Sequence, residues 1–178
     1  MNDSGVRELL DAAGVDYIII GALAMAVRGY PRFTDDVDFL TVNSAVLRDD
    51  FWAPLREQGF QVEVRRGDAE DPLRGVVRLV TPESERIDVV VGKWKWQREI
   101  IERAEWMTSA GVIRRTPRTA DVILLKLYAG GPQDKLDIQY LLDTPDRAAL
   151  VAEVESHVER LPRSDQAVWR ELLTATSG

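Results

Sequence analysis

Asp36 and Asp38 are the residues whose types and spacing best suit chemistry at a metal ion. They follow Gly21 by fifteen and seventeen residues. Because side chains alternate between the two faces of a β-strand, a strand here places both carboxylates on one face, with Cα atoms about 6.6 Å apart. Two carboxylates so placed could bind one small cation. Asp35 would point to the opposite face, so we do not expect it to be a ligand.

A third carboxylate, Asp88, interrupts the otherwise apolar run 87–91. An ionised carboxylate that faces a protein core is costly unless it is paired or bound to a metal. If this strand lies beside the strand of the two aspartates, three carboxylates converge and could hold one or two magnesium ions. Two such ions would stabilise the attacking and leaving oxygens of an in-line displacement at phosphorus. The alternative is a salt bridge from Asp88 to Arg86 or Arg78.

Gly21 ends the apolar run 17–20, where the pattern predicts that a strand turns into a helix. Backbone N–H groups and the positive end of the helix dipole at such a turn suit a triphosphate. The alternative is that the glycine only allows the turn. Its distance from the aspartate pair favours the phosphate-binding role.

The composition excludes several other chemistries. The 178 residues contain no cysteine, which excludes thiolate metal sites, and one histidine, His157, which argues against a histidine zinc site. The net charge of -7 argues against bulk, non-specific binding of nucleic acid but not against a local basic groove. No run reaches the roughly 18 apolar residues of a membrane helix, and the N-terminus lacks a signal-peptide pattern. We therefore expect a cytoplasmic protein that does not bind membranes.

The predicted elements change character near residue 115. Before it, strands and helices alternate, which predicts an α/β core over residues 1–115; after it, the pattern predicts a helical C-terminal part over 116–178. The predicted strands are 16–20, 37–41, 60–64, 75–81 and 86–91, with a hairpin over 105–115. The predicted helices are 6–13, 22–28, 44–58, 93–104, 120–129, 133–142, 146–160 and 164–174. Trp94, Trp96, Trp106 and Trp169 are expected in a core or an interface.

The segment from Ile20 to Ala22, followed by Asp36, Asp38 and later Asp88, resembles the signature of the polymerase-β-like nucleotidyltransferase superfamily. The longer stretches 21–26, 29–34 and 121–130, the last followed by Asp134, Asp137 and Ile138, resemble those of the AbiEii/MenT-type bacterial toxin nucleotidyltransferases and their uncharacterised relatives. The sequence departs from the superfamily at Ala22, where a second glycine or a serine is usual. A serine hydroxyl for phosphate is therefore lost, although a backbone N–H remains.

The resemblance implies a mixed sheet flanked by helices and transfer of a nucleoside monophosphate from a nucleoside triphosphate to an acceptor hydroxyl. Asp36 and Asp38 would hold the metal ions, and Asp88 would bind one ion and help to deprotonate the acceptor. The implied cofactor is Mg²⁺ in a two-ion site, with Mn²⁺ as the alternative ion. The implied nucleotide-binding residues are Gly21, Ala22, Arg32 and Lys126. Toxin relatives modify tRNA or a protein and are restrained by a cognate antitoxin, so tRNA and an antitoxin are the expected partners under that hypothesis.

Other interpretations stay open. A small-molecule nucleotidyltransferase of the aminoglycoside-modifying kind would use the same carboxylates, and the net charge of -7 favours a cationic acceptor. A catalytically silent binding protein with this fold is supported only by Ala22. For Lys126 the alternative is a side chain that extends along its helix to solvent. Asp134 and Asp137 are expected to cap and pair within the helical part.

Overall fold

The computed structural model describes residues 3–30, 34, 36–109 and 111–175. The chain divides into two compact units, Met1–Thr116 and Pro117–Gly178. Each unit has its own secondary structure and its own buried apolar residues.

A five-stranded mixed sheet forms the centre of the first unit. Its strands are β1 (Tyr17–Ile20), β2 (Asp36–Thr41), β3 (Gln61–Arg66), β4 (Gly75–Val80) and β5 (Arg86–Val91). The order is β1-β2-β5-β4-β3. β2 and β5 run parallel, whereas β1 with β2, β4 with β5 and β3 with β4 are antiparallel. The predicted α/β class with a mixed sheet is confirmed.

Over residues 36–39 of β2 and 86–89 of β5, side chains alternate between a buried apolar face and a more exposed polar face. Val37 and Phe39 of β2, and Ile87 and Val89 of β5, are fully buried. Each such side chain contributes about 1.5–3 kcal/mol when it leaves water. The residues between them, including the three aspartates of the sequence pattern, point to the other face. The hydrophobic core therefore determines the side of the sheet on which the carboxylates lie.

The helices of the first unit are α1 (Ser4–Ala12), α2 (Gly21–Val27), α3 (Ala53–Glu57) and α4 (Lys95–Glu102). The predicted helix over 44–58 is wrong, because this region forms two 3₁₀ turns, Ser44–Leu47 and Asp49–Trp52, before the short α3. Pro54 lacks the backbone N–H that would continue a helix from the preceding turn. It therefore lies in the first turn of α3, where no such hydrogen bond is needed. The buried indole of Trp52 donates to the Val46 carbonyl at 2.7 Å.

The predicted hairpin is present as β6 (Glu105–Ser109) and β7 (Val112–Thr116), which form a separate antiparallel ribbon. Trp96 is buried, but Trp106 on this ribbon is 69% exposed and Trp94 is 44% exposed. These two tryptophans therefore lie outside the core of the chain, unlike Trp96 and Trp169.

The described residues of the second unit form four helices, as the sequence predicts. They are α5 (Thr119–Ala129), α6 (Pro132–Leu142), α7 (Arg147–Val158) and α8 (Arg163–Ala175). α5 ends at Gly130, whose φ of +68° is the left-handed conformation that glycine adopts at helix ends. Apolar residues such as Ile123, Ile138 and Val154 fill the core of this unit. Among the described helices of the chain, none has the length and apolar character needed to cross a membrane.

Candidate active site

The backbone brings the three predicted carboxylates onto one face of the sheet. In the parallel register of β2 with β5, the Cα of Asp38 is paired with the Cα of Asp88. Asp36 lies two residues before Asp38 on the same strand, so its side chain shares that face. The expected adjacency of the two strands is confirmed. Asp35 and Arg32 lie outside the described residues.

Gly21 is packed directly beneath the Asp38 carboxylate. Its φ is +64°, a conformation that favours glycine, and it joins β1 to α2. A Cβ added to Gly21 would lie 2.0 Å from Oδ2 and 2.9 Å from Cγ of Asp38. The glycine therefore does more than allow a turn, because any side chain here would displace the Asp38 carboxylate. The neighbouring Ala22 is 4% exposed, and its methyl group offers no hydrogen bond.

Two arginines on the same face of the sheet form ion pairs with Asp36 and Asp88. Arg86 Nε lies 3.5 Å from Oδ1 of Asp36, and Arg78 Nε lies 3.7 Å from Oδ2 of Asp88. Both distances are those of ion pairs without a well-formed hydrogen bond. Oδ1 of Asp36 is itself buried and has no hydrogen-bond partner. The salt-bridge alternative for Asp88 thus coexists with its position beside Asp38.

Asp88 is in an environment that disfavours its charged form. Burial raises its pKa, Arg78 opposes this effect, and the negative charge of Asp36 adds to it. A nearby cation would relieve both unfavourable contributions. A perturbed carboxylate in a concave site is also typical of functional residues.

The carboxylate oxygens of the three aspartates suit a hard cation, but their side chains are not arranged around a common point. In the part of the chain that the structure describes, no group of three Asp, Glu, His or Cys side chains is placed to hold a metal ion. Asp36 and Asp88 instead each face an arginine. Three carboxylates on one face, one of them with a buried oxygen that accepts no hydrogen bond, nevertheless match the oxygen ligands that Mg²⁺ prefers. A bound ion would compete with the two arginines for Asp36 and Asp88.

A cavity of about 600 Å³ within the first unit is lined by two of these carboxylates, Asp36 and Asp88. Its polar lining consists of Asp36, Gln61, Glu63, Arg78, Arg86 and Asp88. This volume is within the usual range for small-molecule sites. From the sequence, Arg78 and Arg86 were expected only as alternative salt-bridge partners of Asp88, and no residue of the predicted strand 60–64 was expected at the site. The signal for Arg78 was its position between the buried Val77 and Leu79, which sends its side chain to the polar face.

Lys126 lies in the second unit, where its side chain is buried and forms ion pairs with two aspartates. Its ammonium group donates to Oδ1 of Asp134 at 3.0 Å and to Oδ2 of Asp137. Asp134 also accepts from the backbone N–H of Gly131 at 3.0 Å, and Asp137 accepts from Gln133 at 3.1 Å. Lys126 is 6% exposed, so it does not extend to solvent. The expected capping and pairing of Asp134 and Asp137 is what the structure has.

No protein-family model matches the sequence, and no curated protein matches it significantly. Solved structures do match the fold. The solution structure of the antibiotic-resistance factor ANT(2'')-Ia superposes with a TM-score of 0.57 at 15% identity, over 87% of this chain and 88% of that chain. The crystal structure of ANT(2'')-Ia in complex with adenylyl-2''-tobramycin gives the same TM-score and identity, over 87% and 94% of the two chains.

A protein from Thermotoga maritima described as a nucleotidyltransferase, TM1012, is a further structural match. Its TM-score is 0.52 at 13% identity, over 78% of this chain and 91% of that chain. At these identities the matches establish the fold. The protein therefore has the nucleotidyltransferase fold that the sequence predicts.

Replacing Gly21 with alanine should destabilise the protein through a collision with Asp38. Gly14 provides a matched control, because its φ is +62° and no atom lies within 4 Å of an added Cβ. We expect Gly21→Ala to lower the free energy of unfolding by at least about 1 kcal/mol more than Gly14→Ala, measured by urea denaturation. In an Asp38→Ala background most of this excess should disappear, since the colliding Oδ2 and Cγ are removed and only the Cβ, 3.2 Å away, remains. An equal loss for both glycines in the wild-type background would contradict the packing described above.

Replacing Lys126 with methionine should leave the buried Asp137 without its cation. We expect a loss of about 3–5 kcal/mol in the free energy of unfolding, which is typical when one partner of a buried ion pair is removed. Lys135→Met on α6 is the control, because Lys135 is exposed. Adding Asp137→Asn to Lys126→Met should recover part of the loss. Equal free energies of unfolding for the two lysine variants would show that the ion pairs of Lys126 with Asp134 and Asp137 do not stabilise the protein.

Proposed function

We propose that this protein is a metal-dependent nucleotidyltransferase, which transfers a nucleoside monophosphate from a nucleoside triphosphate to an acceptor hydroxyl. The observation that carries the proposal is the juxtaposition of Asp38 with Asp88, and of Asp36 beside them, on the polar face of a sheet with the nucleotidyltransferase fold. The packing of Gly21 against Asp38 supports the proposal, because a residue with a side chain at position 21 would collide with the Asp38 carboxylate.

Asp36, Asp38 and Asp88 are the proposed ligands of Mg²⁺, with Mn²⁺ as a substitute. When bound, the ions would neutralise the triphosphate charge and polarise the reacting phosphate. In the proposed reaction the acceptor oxygen forms a bond to the α-phosphorus, and the bond from that phosphorus to the bridging oxygen of the β-phosphate breaks. Pyrophosphate leaves with the bridging oxygen, and a carboxylate oxygen of Asp88 takes the acceptor's proton.

The proposed nucleotide-binding residues are those of the sequence pattern. Gly21 and Ala22 would offer backbone N–H groups to phosphate, and Arg32 would offer its guanidinium group. Lys126 would also contact the triphosphate, an assignment that rests on the resemblance, and its ammonium group already donates to Asp134 and Asp137.

Two acceptor classes follow from different observations. A small cationic acceptor is favoured by the net charge of -7 and by the fold shared with ANT(2'')-Ia, whose structure was determined with an adenylylated tobramycin. An RNA acceptor, with restraint by a cognate antitoxin, rests on the resemblance to the AbiEii/MenT-type toxins. The silent-fold hypothesis rests on Ala22 alone and predicts no transfer to any acceptor.

A transfer assay tests the proposed function. The protein is incubated with Mg²⁺ and each α-labelled nucleoside triphosphate in turn, with tRNA, protein extract or aminoglycosides as acceptor. We expect label transfer to one acceptor class, reduced at least about a hundredfold in Asp38→Asn, because the variant keeps the shape but loses the charge that binds metal. Asp50→Asn, which removes an exposed carboxylate outside the proposed site, should transfer normally. Transfer that survives Asp38→Asn would refute the metal assignment, and no transfer to any acceptor would favour the silent fold.

A further inference from the structure

Arg78 and Arg86 occupy register positions directly beside the proposed metal ligands. The Cα of Arg86 pairs with that of Asp36 across β2 and β5, and the Cα of Arg78 pairs with that of Asp88 across β4 and β5. The side chain of Arg86 is 67% exposed and that of Arg78 is 51% exposed. Each guanidinium group forms an ion pair with its aspartate, and the positive charge of Arg78 also acts on Glu63, its register partner on β3.

These ion pairs add little to the fold. Exposed salt bridges contribute weakly, and the distances of 3.5 and 3.7 Å are longer than hydrogen bonds. The two arginines also line the cavity of about 600 Å³ beside the carboxylates. An exposed guanidinium group on a long side chain at the wall of a cavity is well suited to bind phosphate oxygens through paired N–H donors.

The charges on this face oppose binding of a metal ion by itself. A cation that binds Asp36 or Asp88 competes with a guanidinium group for the carboxylate and remains near its positive charge. A triphosphate reverses this effect, because its negative oxygens can take both arginines away from the carboxylates. The metal ion and the triphosphate should therefore each favour binding of the other.

We propose that Arg78 and Arg86 exchange partners, pairing with Asp88 and Asp36 in the free protein and with the triphosphate in the nucleotide complex. This inference rests on the proposed function and deepens it, since it names the groups that bind the triphosphate. The exchange makes metal binding weak until a triphosphate arrives. The two arginines are thus binding residues for the triphosphate and competitors of the metal ion.

The test compares two ligands in calorimetric titrations at low salt. One ligand is Mn²⁺ alone, and the other is Mn²⁺ with inorganic tripolyphosphate, which carries the phosphate charge without a base. In Arg78→Gln and Arg86→Gln we expect Mn²⁺ alone to bind about fivefold more tightly and Mn²⁺–tripolyphosphate to bind about fivefold more weakly, from loss of one nearby positive charge. A residue with only a structural role would change both affinities in the same direction. Arg48→Gln is the matched control, because Arg48 pairs with Asp50, which is not a proposed ligand.

The outcomes separate the inference from the proposed function. Opposite shifts in the two arginine variants, with none in Arg48→Gln, support the exchange. If both affinities shift in one direction, or neither shifts, the exchange is overturned. The metal assignment stands in that case, provided that Asp38→Asn still abolishes Mn²⁺ binding. If Asp38→Asn binds Mn²⁺ as the wild type does, the metal assignment fails and the exchange fails with it.

Discussion

The parallel register between β2 and β5 is the constraint on which the candidate site depends. It pairs the Cα of Asp38 with that of Asp88, and side chains in matched positions of neighbouring strands point to the same face. A slip of one residue would turn one set of carboxylates into the core. Val37, Phe39, Ile87 and Val89 prevent such a slip, because it would bring these buried side chains into water. The same apolar residues that hold the sheet together thus align the carboxylates.

A second constraint acts from the edge strand of the sheet. β1 ends at Ile20, whose Cα pairs with that of Asp38, and the chain then turns at Gly21 with a positive φ. The absence of a side chain at Gly21 leaves room for the Asp38 carboxylate. Core packing on one face, parallel pairing and a glycine contact therefore fix Asp38 from three sides. Asp36 and Asp88 are held less firmly, by ion pairs with exposed arginines.

Much of this arrangement could be predicted from the sequence, because it follows from local periodicity. Alternation around Asp36 and Asp38, and again around Asp88, predicted two strands with carboxylates on one face. The turn at Gly21 was predicted for the same reason. The region 44–58 was not, since its amphipathic pattern gives no sign that Trp52 would bury its indole against the Val46 carbonyl. The partners of Lys126 were also missed, because contacts between separate helices depend on packing and not on spacing along one helix.

The central claim is that Asp36, Asp38 and Asp88 together hold a divalent metal ion. Its most direct test is a crystal structure of the protein grown with Mn²⁺ and tripolyphosphate, with data collected at a wavelength where manganese scatters anomalously. The account predicts an anomalous peak in direct contact with carboxylate oxygens from both β2 and β5, with Arg78 and Arg86 turned toward phosphate. A manganese peak elsewhere, with Asp36 and Asp88 still paired to their arginines, would contradict it.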